Sequence, residues 1–126
     1  MIYGIGTDIV RVSRMQNDLE RFGDKLARRI LTEHELADFN SSNSQAHFLA
    51  KRFAAKEATA KAMGIGFSHG LFLNHIGVLH DEYGKPVLEF YGRAAELREE
   101  LGIGDSHVSL ADEEDVAVAF VTLLSV

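Results

Sequence analysis

Apolar and polar positions alternate at the start of the chain, MIYGIGTDIV, and this period of two predicts a strand. Ile5, Thr7 and Ile9 fall on one face; Gly4, Gly6, Asp8 and Val10 fall on the other. The period then lengthens. Ser13 is placed to cap a helix over residues 14–22 that Gly23 ends, and a second helical piece follows from Asp24 to Ile30. Thr32-Glu33-His34-Glu35 has capping-box spacing and opens a short helix to about Phe39. NSSNSQ at 40–45 is a polar loop. A long helix from about Ala46 to Met63 follows, with Gly64 as its stop. Past the loop IGFSHG, strands over about 72–80 and 86–91 flank the turn DEYGKP. Arg93 to Leu101 reads as a helix ended by Gly102. The final stretch reads as a hairpin of strand 106–111, acidic turn 112–115 and strand 116–125. The pattern predicts an α+β domain, with a mainly antiparallel sheet packed on a long central helix.

With 126 residues, 46% hydrophobic and 25% charged, the chain fits one globular domain. It has no cysteine, which removes disulfides and thiolate metal sites and agrees with a reducing compartment. MIYGIGTDIV lacks the basic start and long apolar core of a signal peptide. The longest apolar run, Val116 to Val126, is too short for a membrane span. The expectation is a cytoplasmic protein with no membrane partner.

Charge changes the picture along the chain. The net charge of -6 is distributed unevenly, with a balance of +2 over residues 1–30 and -8 over residues 81–126. An acidic chain is a poor general binder of nucleic acid, since phosphate attraction needs a basic surface. A local basic face on the first helices could still meet an acidic protein.

Three residues draw attention as chemistry. Aspartate is disfavoured in strands, yet Asp8 shares a face with Gly4 and Gly6. Strand glycines mark close approach of a ligand or another backbone, and a solvated strand-end carboxylate remains the plainer alternative. Glu57 and Lys61 stand at i, i+4, ordinarily a surface ion pair. Their helix face otherwise carries Ala50, Phe53, Ala54 and Ala60, where a charged pair must be paired, metal-bound or at the floor of a cleft. Arg52 and Lys56 lie to one side of that face. A carboxylate flanked by three bases suits a magnesium–phosphate site, the acid holding the hard cation and the bases meeting phosphate oxygens. The six histidines form no metal-binding pair, and His107 could face either way. GIGFSHG matches no phosphate-binding loop.

Four segments in order, GIGTDIVRVSR, RFAAKEATAKAMG, DEYGKPVLEFYG and HVSLADEEDVAVAFV, together resemble the holo-acyl-carrier-protein synthase family of phosphopantetheinyl transferases. The resemblance implies transfer of the 4′-phosphopantetheine arm from coenzyme A to a serine of apo-acyl carrier protein, with adenosine 3′,5′-bisphosphate released and Mg²⁺ required. It makes Asp8 and Glu57 the magnesium ligands and puts Lys61 at a coenzyme A phosphate near the reacting centre. Arg52 and His107 become further phosphate contacts. The general base is Glu57 or a metal-bound water. The resemblance also implies a homotrimer with sites at subunit interfaces, and a carrier docked on the basic first helix through Arg14 and Arg21. Arg11, Lys25 and Arg28 are possible extras. One departure is that Ala111-Asp112 stands where many members have Ser/Thr-His, so that histidine's duty is not carried over.

Overall fold

Gly4 and Gly6 set the architecture. The computed structural model describes residues 1–126. Strand β1 (Ile2–Arg11) lies so close to a long helix that a Cβ on Gly4 would sit 2.0 Å from the carbonyl oxygen of Ala62. One on Gly6 would sit 2.0 Å from that of Ala58. The approaching partner of these glycines is therefore a backbone, and the contact brings Asp8 beside the helix.

That helix, α4 (Gln45–Met63), is the longest in the chain, and Gly64 ends it in the left-handed conformation at φ 83°. Ala50, Ala54, Ala55, Ala58, Ala60 and Ala62 are all buried along it, and their small side chains permit the close packing. It crosses the inner face of an antiparallel sheet ordered β1-β5-β4, with β4 spanning Ile103–Asp112 and β5 spanning Val116–Ser125. Leu49, Met63, Val121 and Leu123 fill the core between them, each contributing about 1.5–3 kcal/mol by burial.

The remaining elements are α1 (Val12–Phe22), α2 (Asp24–Ile30), α3 (Glu33–Asn40), the pair β2 (Ile76–His80) and β3 (Pro86–Phe90), and α5 (Gly92–Glu100). The first three helices and β2 pack against other sides of α4, while β3 pairs with β2 and α5 lies against β3 and β4. The α+β class and the antiparallel pairing hold. The pairing is split, however, between a three-stranded and a separate two-stranded sheet.

Three boundaries differ from the sequence reading. Helix α1 starts at Val12, and the Ser13 side chain does not cap it. Asp115, in the hairpin turn, does so instead: its carbonyl accepts from Val12 N (2.9 Å) and its Oδ1 from Ser13 N (3.0 Å). The strand expected from 72 begins with a 3-10 turn, Leu73–His75, and is extended only from Ile76. Strand β4 starts three residues early, at Ile103. The capping box at Thr32 forms as expected, with Glu35 N donating to Thr32 Oγ1 and Thr32 N to Glu35 Oε1.

Candidate active site on two sides of one helix

Helix α4 carries two charged clusters on different sides. Glu57 and Lys61 are 40° apart on the helical wheel, as are Arg52 and Lys56, whereas Arg52 and Lys61 are half a turn apart.

The first cluster faces α1 and β1. Lys61 Nζ donates to Asp8 Oδ1 (3.0 Å) and to the Thr7 carbonyl (3.1 Å). The Asp8 side chain is 16% exposed and that of Lys61 52%, so the carboxylate is largely covered while the amine is open to solvent. Glu57, one turn before Lys61, is half-buried. Burial pushes its carboxyl above the usual range and the nearby Asp8 charge adds to this, while Lys61 and Arg14 pull the other way. Arg14 reaches this side by lying over the Phe53 ring, 5.5 Å from its centroid. Two neighbouring carboxylates, with the Asp8 charge disfavouring ionisation of Glu57, fit a hard divalent cation. No third histidine or carboxylate joins them, which suits Mg²⁺, an ion that keeps several waters and binds substrate phosphates besides one or two protein carboxylates.

The sequence reading placed Glu57 and Lys61 on a buried face, and here the structure corrects it. Lys61 is exposed, and the fully buried charge of α4 is Lys56, at 0% exposure. Lys56 does not reach a phosphate site. Its Nζ donates to Glu35 Oε1 (2.6 Å) and to the Ile76 carbonyl. Arg52 is 5% exposed and stacks on Phe48, 4.3 Å from the ring centroid. Its Nε lies 3.7 Å from Glu35 Oε2, too far for a hydrogen bond, and has no other partner. Burial lowers the pKa of both bases, opposed by the Glu35 charge.

Arg52 forms part of the wall of a cleft of roughly 400 Å³, with Lys51, His80, Lys85, Ser109 and Asp112. Burial, then the Arg52 and Lys51 charges, hold the His80 imidazole below its ordinary pKa. Asp112 lies between His47 Nδ1 (3.1 Å) and Lys51 Nζ (3.8 Å) and so ties the end of β4 to the start of α4. His107 is exposed on β4, next to a recess that it shares with Lys85 and Pro86, which also border the Arg52 cleft. It points away from the sheet face that carries Asp8.

One protomer therefore brings Asp8, Glu57 and Lys61 together, with Arg14 close by. It leaves Arg52 and His107 on the other side, together with Lys51 and Lys85. Arg14 and Arg21 are both exposed on α1, Arg21 lying over the Phe22 ring at 5.1 Å. Sequence reasoning missed Glu35 as the hub of the buried cluster, as well as Lys51, His80 and Lys85 in the cleft wall. The one local signal for Glu35 was its setting among apolar residues Leu31, Leu36 and Phe39, which a capping-box role had already explained.

A profile of the 4′-phosphopantetheinyl transferase superfamily matches residues 4–121. A holo-[acyl-carrier-protein] synthase of Nitrosococcus oceani is 58% identical over 125 residues, covering 99% of this chain and 81% of the relative. The crystal structure of holo-[acyl-carrier-protein] synthase from Neisseria meningitidis superposes with a TM-score of 0.93 at 45% identity, covering 98% of each chain. That of Bacillus anthracis, in complex with coenzyme A (3′,5′-ADP), has a TM-score of 0.82 at 35% identity over 100% of this chain and 99% of the other. The chain belongs to the 4′-phosphopantetheinyl transferase superfamily, and it is an enzyme of the holo-[acyl-carrier-protein] synthase type. No helix is long and apolar enough to cross a membrane.

Proposed function

We propose that the chain transfers 4′-phosphopantetheine from coenzyme A to a serine of apo-acyl carrier protein in an Mg²⁺-dependent reaction, in the cytoplasm and in support of fatty acid biosynthesis. The observation that carries this reading is the Asp8–Lys61 pair with Glu57 one turn away, two carboxylates and an amine brought together where α4 meets β1.

Asp8 and Glu57 would hold the Mg²⁺, which when bound neutralises pyrophosphate charge. Lys61 stabilises the charge that develops on the leaving phosphate, a role that its mobile ammonium suits. Arg52, in the wall of the cleft that Lys51 and Lys85 also border, takes a phosphate of coenzyme A, with His107 as a further contact. Exposed Arg14 and Arg21 on α1 meet the acidic surface of the carrier.

The same reading requires more than one copy of the chain. The Asp8 cluster and the Arg52–His107 surface lie on opposite sides of a protomer, and head-to-tail cyclic assembly joins opposite sides into one site. The outer face of the three-stranded sheet, with Ile5 59%, Ile9 69% and Phe120 47% exposed, supports burial against a neighbour. We assign a homotrimer, the assembly implied by the resemblance. Sedimentation with parallel assays should find activity only in the trimeric species. Full specific activity in a stable monomer would remove the shared-site reading.

The whole proposal is tested by incubating the protein with coenzyme A, Mg²⁺ and apo-carrier protein and then weighing the carrier. A gain of one phosphopantetheine mass, lost when the metal is chelated, is the expected result. An unmodified carrier would overturn the transfer reading, and full transfer under chelation would overturn the metal requirement.

A further inference from the structure

Three ionised groups share the buried cluster on the α3 side of α4: one carboxylate, Glu35, and two cations, Lys56 and Arg52. Glu35 is 0% exposed and both of its oxygens are in use. Oε1 accepts from Thr32 N (2.9 Å) and Lys56 Nζ (2.6 Å), and Oε2 accepts from Val78 N (2.9 Å). The carboxylate is thus fixed from three elements: its own helix, α4 and β2. Lys56 holds the short contact, and Arg52 is left at 3.7 Å with the Phe48 ring as its seat.

This division is not the one chemistry would choose for a lone carboxylate and a guanidinium. Arginine and carboxylate prefer a two-pronged, charge-assisted pairing with N···O near 2.8 Å. Without a competitor, Glu35 would close on Arg52, neutralise it and take up its donors. The cluster instead keeps an excess positive charge beside the cleft, and Arg52 Nε has no acceptor although it is buried. Arg52 borders the cleft, so the charge that Glu35 leaves unneutralised is placed to attract an anion there.

We propose that Lys56 is a positioning residue for phosphate binding: by occupying Glu35, it prevents that carboxylate from sequestering Arg52. Glu35 then attracts Arg52 from a distance at which it orients the guanidinium without satisfying it. The inference rests on the reading that Arg52 meets a coenzyme A phosphate, and the test separates the two.

The probe is adenosine 3′,5′-bisphosphate, titrated calorimetrically into the intact protein and its variants at fixed salt. Arg52→Ala should weaken binding, and Lys56→Met should weaken it about tenfold as Glu35 turns to Arg52. The double variant Lys56→Met/Glu35→Gln, which removes the competing carboxylate as well, should recover to within about threefold of the wild type. Should Lys56→Met not fold, Lys56→Gln keeps a donor for the Ile76 carbonyl without the charge, and the same loss and rescue are expected. Recovery on removing a second buried group is a result that a purely structural role for Lys56 does not produce. If Arg52→Ala leaves affinity unchanged, the phosphate assignment fails and the proposal falls with it. If Arg52→Ala weakens binding while the Lys56 variants do not, or if the double variant is no better than the single one, only the positioning role is overturned.

Discussion

The two charged clusters of α4 contain the same kinds of side chain and face opposite demands. Asp8, Glu57 and Lys61 meet at a partly exposed surface, where solvent moderates their charges and a ligand can displace one contact with another. Glu35, Lys56 and Arg52 are almost wholly buried, so each charge must have a partner or remain at high cost. At that surface, removing a charge should abolish chemistry and leave the fold. In the interior, removing one should damage the fold first. Sequence spacing does not distinguish them, because both include a pair at i, i+4 on the same helix.

The sharpest way to break this contrast is Glu35→Gln. It leaves two buried cations without a counter-charge and should cost about 3–5 kcal/mol, much of the stability of a domain this size. Thermal unfolding should show a fall of roughly 10–20 °C. A melting temperature close to the wild type would mean that the interior cluster is not held by its carboxylate.

Asp8→Asn and Glu57→Gln provide the opposite case. Each should reduce transfer by about 100-fold or more, since an amide is a weak ligand for a hard cation, while the fold persists. For Glu57 the sign with pH can be worked out. Its folded pKa is raised by burial and by Asp8, so the folded state binds the proton more tightly than the unfolded state does. Its ionised form therefore opposes folding above the raised value, and the penalty disappears as pH falls through it. With metal chelated, Glu57→Gln should melt slightly higher than wild type at neutral pH and equal to it in acid. Near-normal transfer at limiting Mg²⁺ by either variant would remove the metal assignment.

Charge reversal at Arg14 and Arg21 sharpens the comparison from outside. These exposed arginines lie seven residues apart, nearly on one face of α1, and the pair of reversals should raise the carrier KM by roughly tenfold while the coenzyme A term stays put. The difference should shrink at high salt. An equal loss for both substrates would show that α1 is not the docking face.

The smallest effect is expected at Asp115. The Ser13 backbone N–H, then Arg11, hold its carboxyl below the usual range. A lowered folded pKa gives stability that is present above the unfolded value and lost as pH falls through the lowered one. Asp115→Asn should lower the melting temperature by a few degrees at neutral pH, a gap that closes towards acid. A constant gap at all pH values would show that the cap acts through shape alone.

Much of this was legible beforehand. The period-two start, the Thr32 capping box and the Gly64 stop are local signals with local causes, and each appears where the residues put it; the closing hairpin forms too, with its first strand beginning three residues early. The four family motifs identified the enzyme class from residue types and spacing, which the superfamily match bears out. Helix α1 was less accessible, because its cap comes from Asp115, roughly a hundred residues away, and no local pattern carries that information. The strand expected from 72 failed for a local reason: Phe72 N donates to His75 Nδ1 and closes a turn that the apolar run concealed.

By itself, the sequence determined most of the elements and put Gly4, Gly6 and Asp8 on one face of β1. Tertiary structure decided which charges of α4 are wet and which are dry. A helix presents every side chain outward, and only its neighbours make one side interior. Here α3 and β2 close over Arg52 and Lys56, bringing Glu35 between them, whereas α1 and β1 leave Lys61 open to solvent beside Asp8.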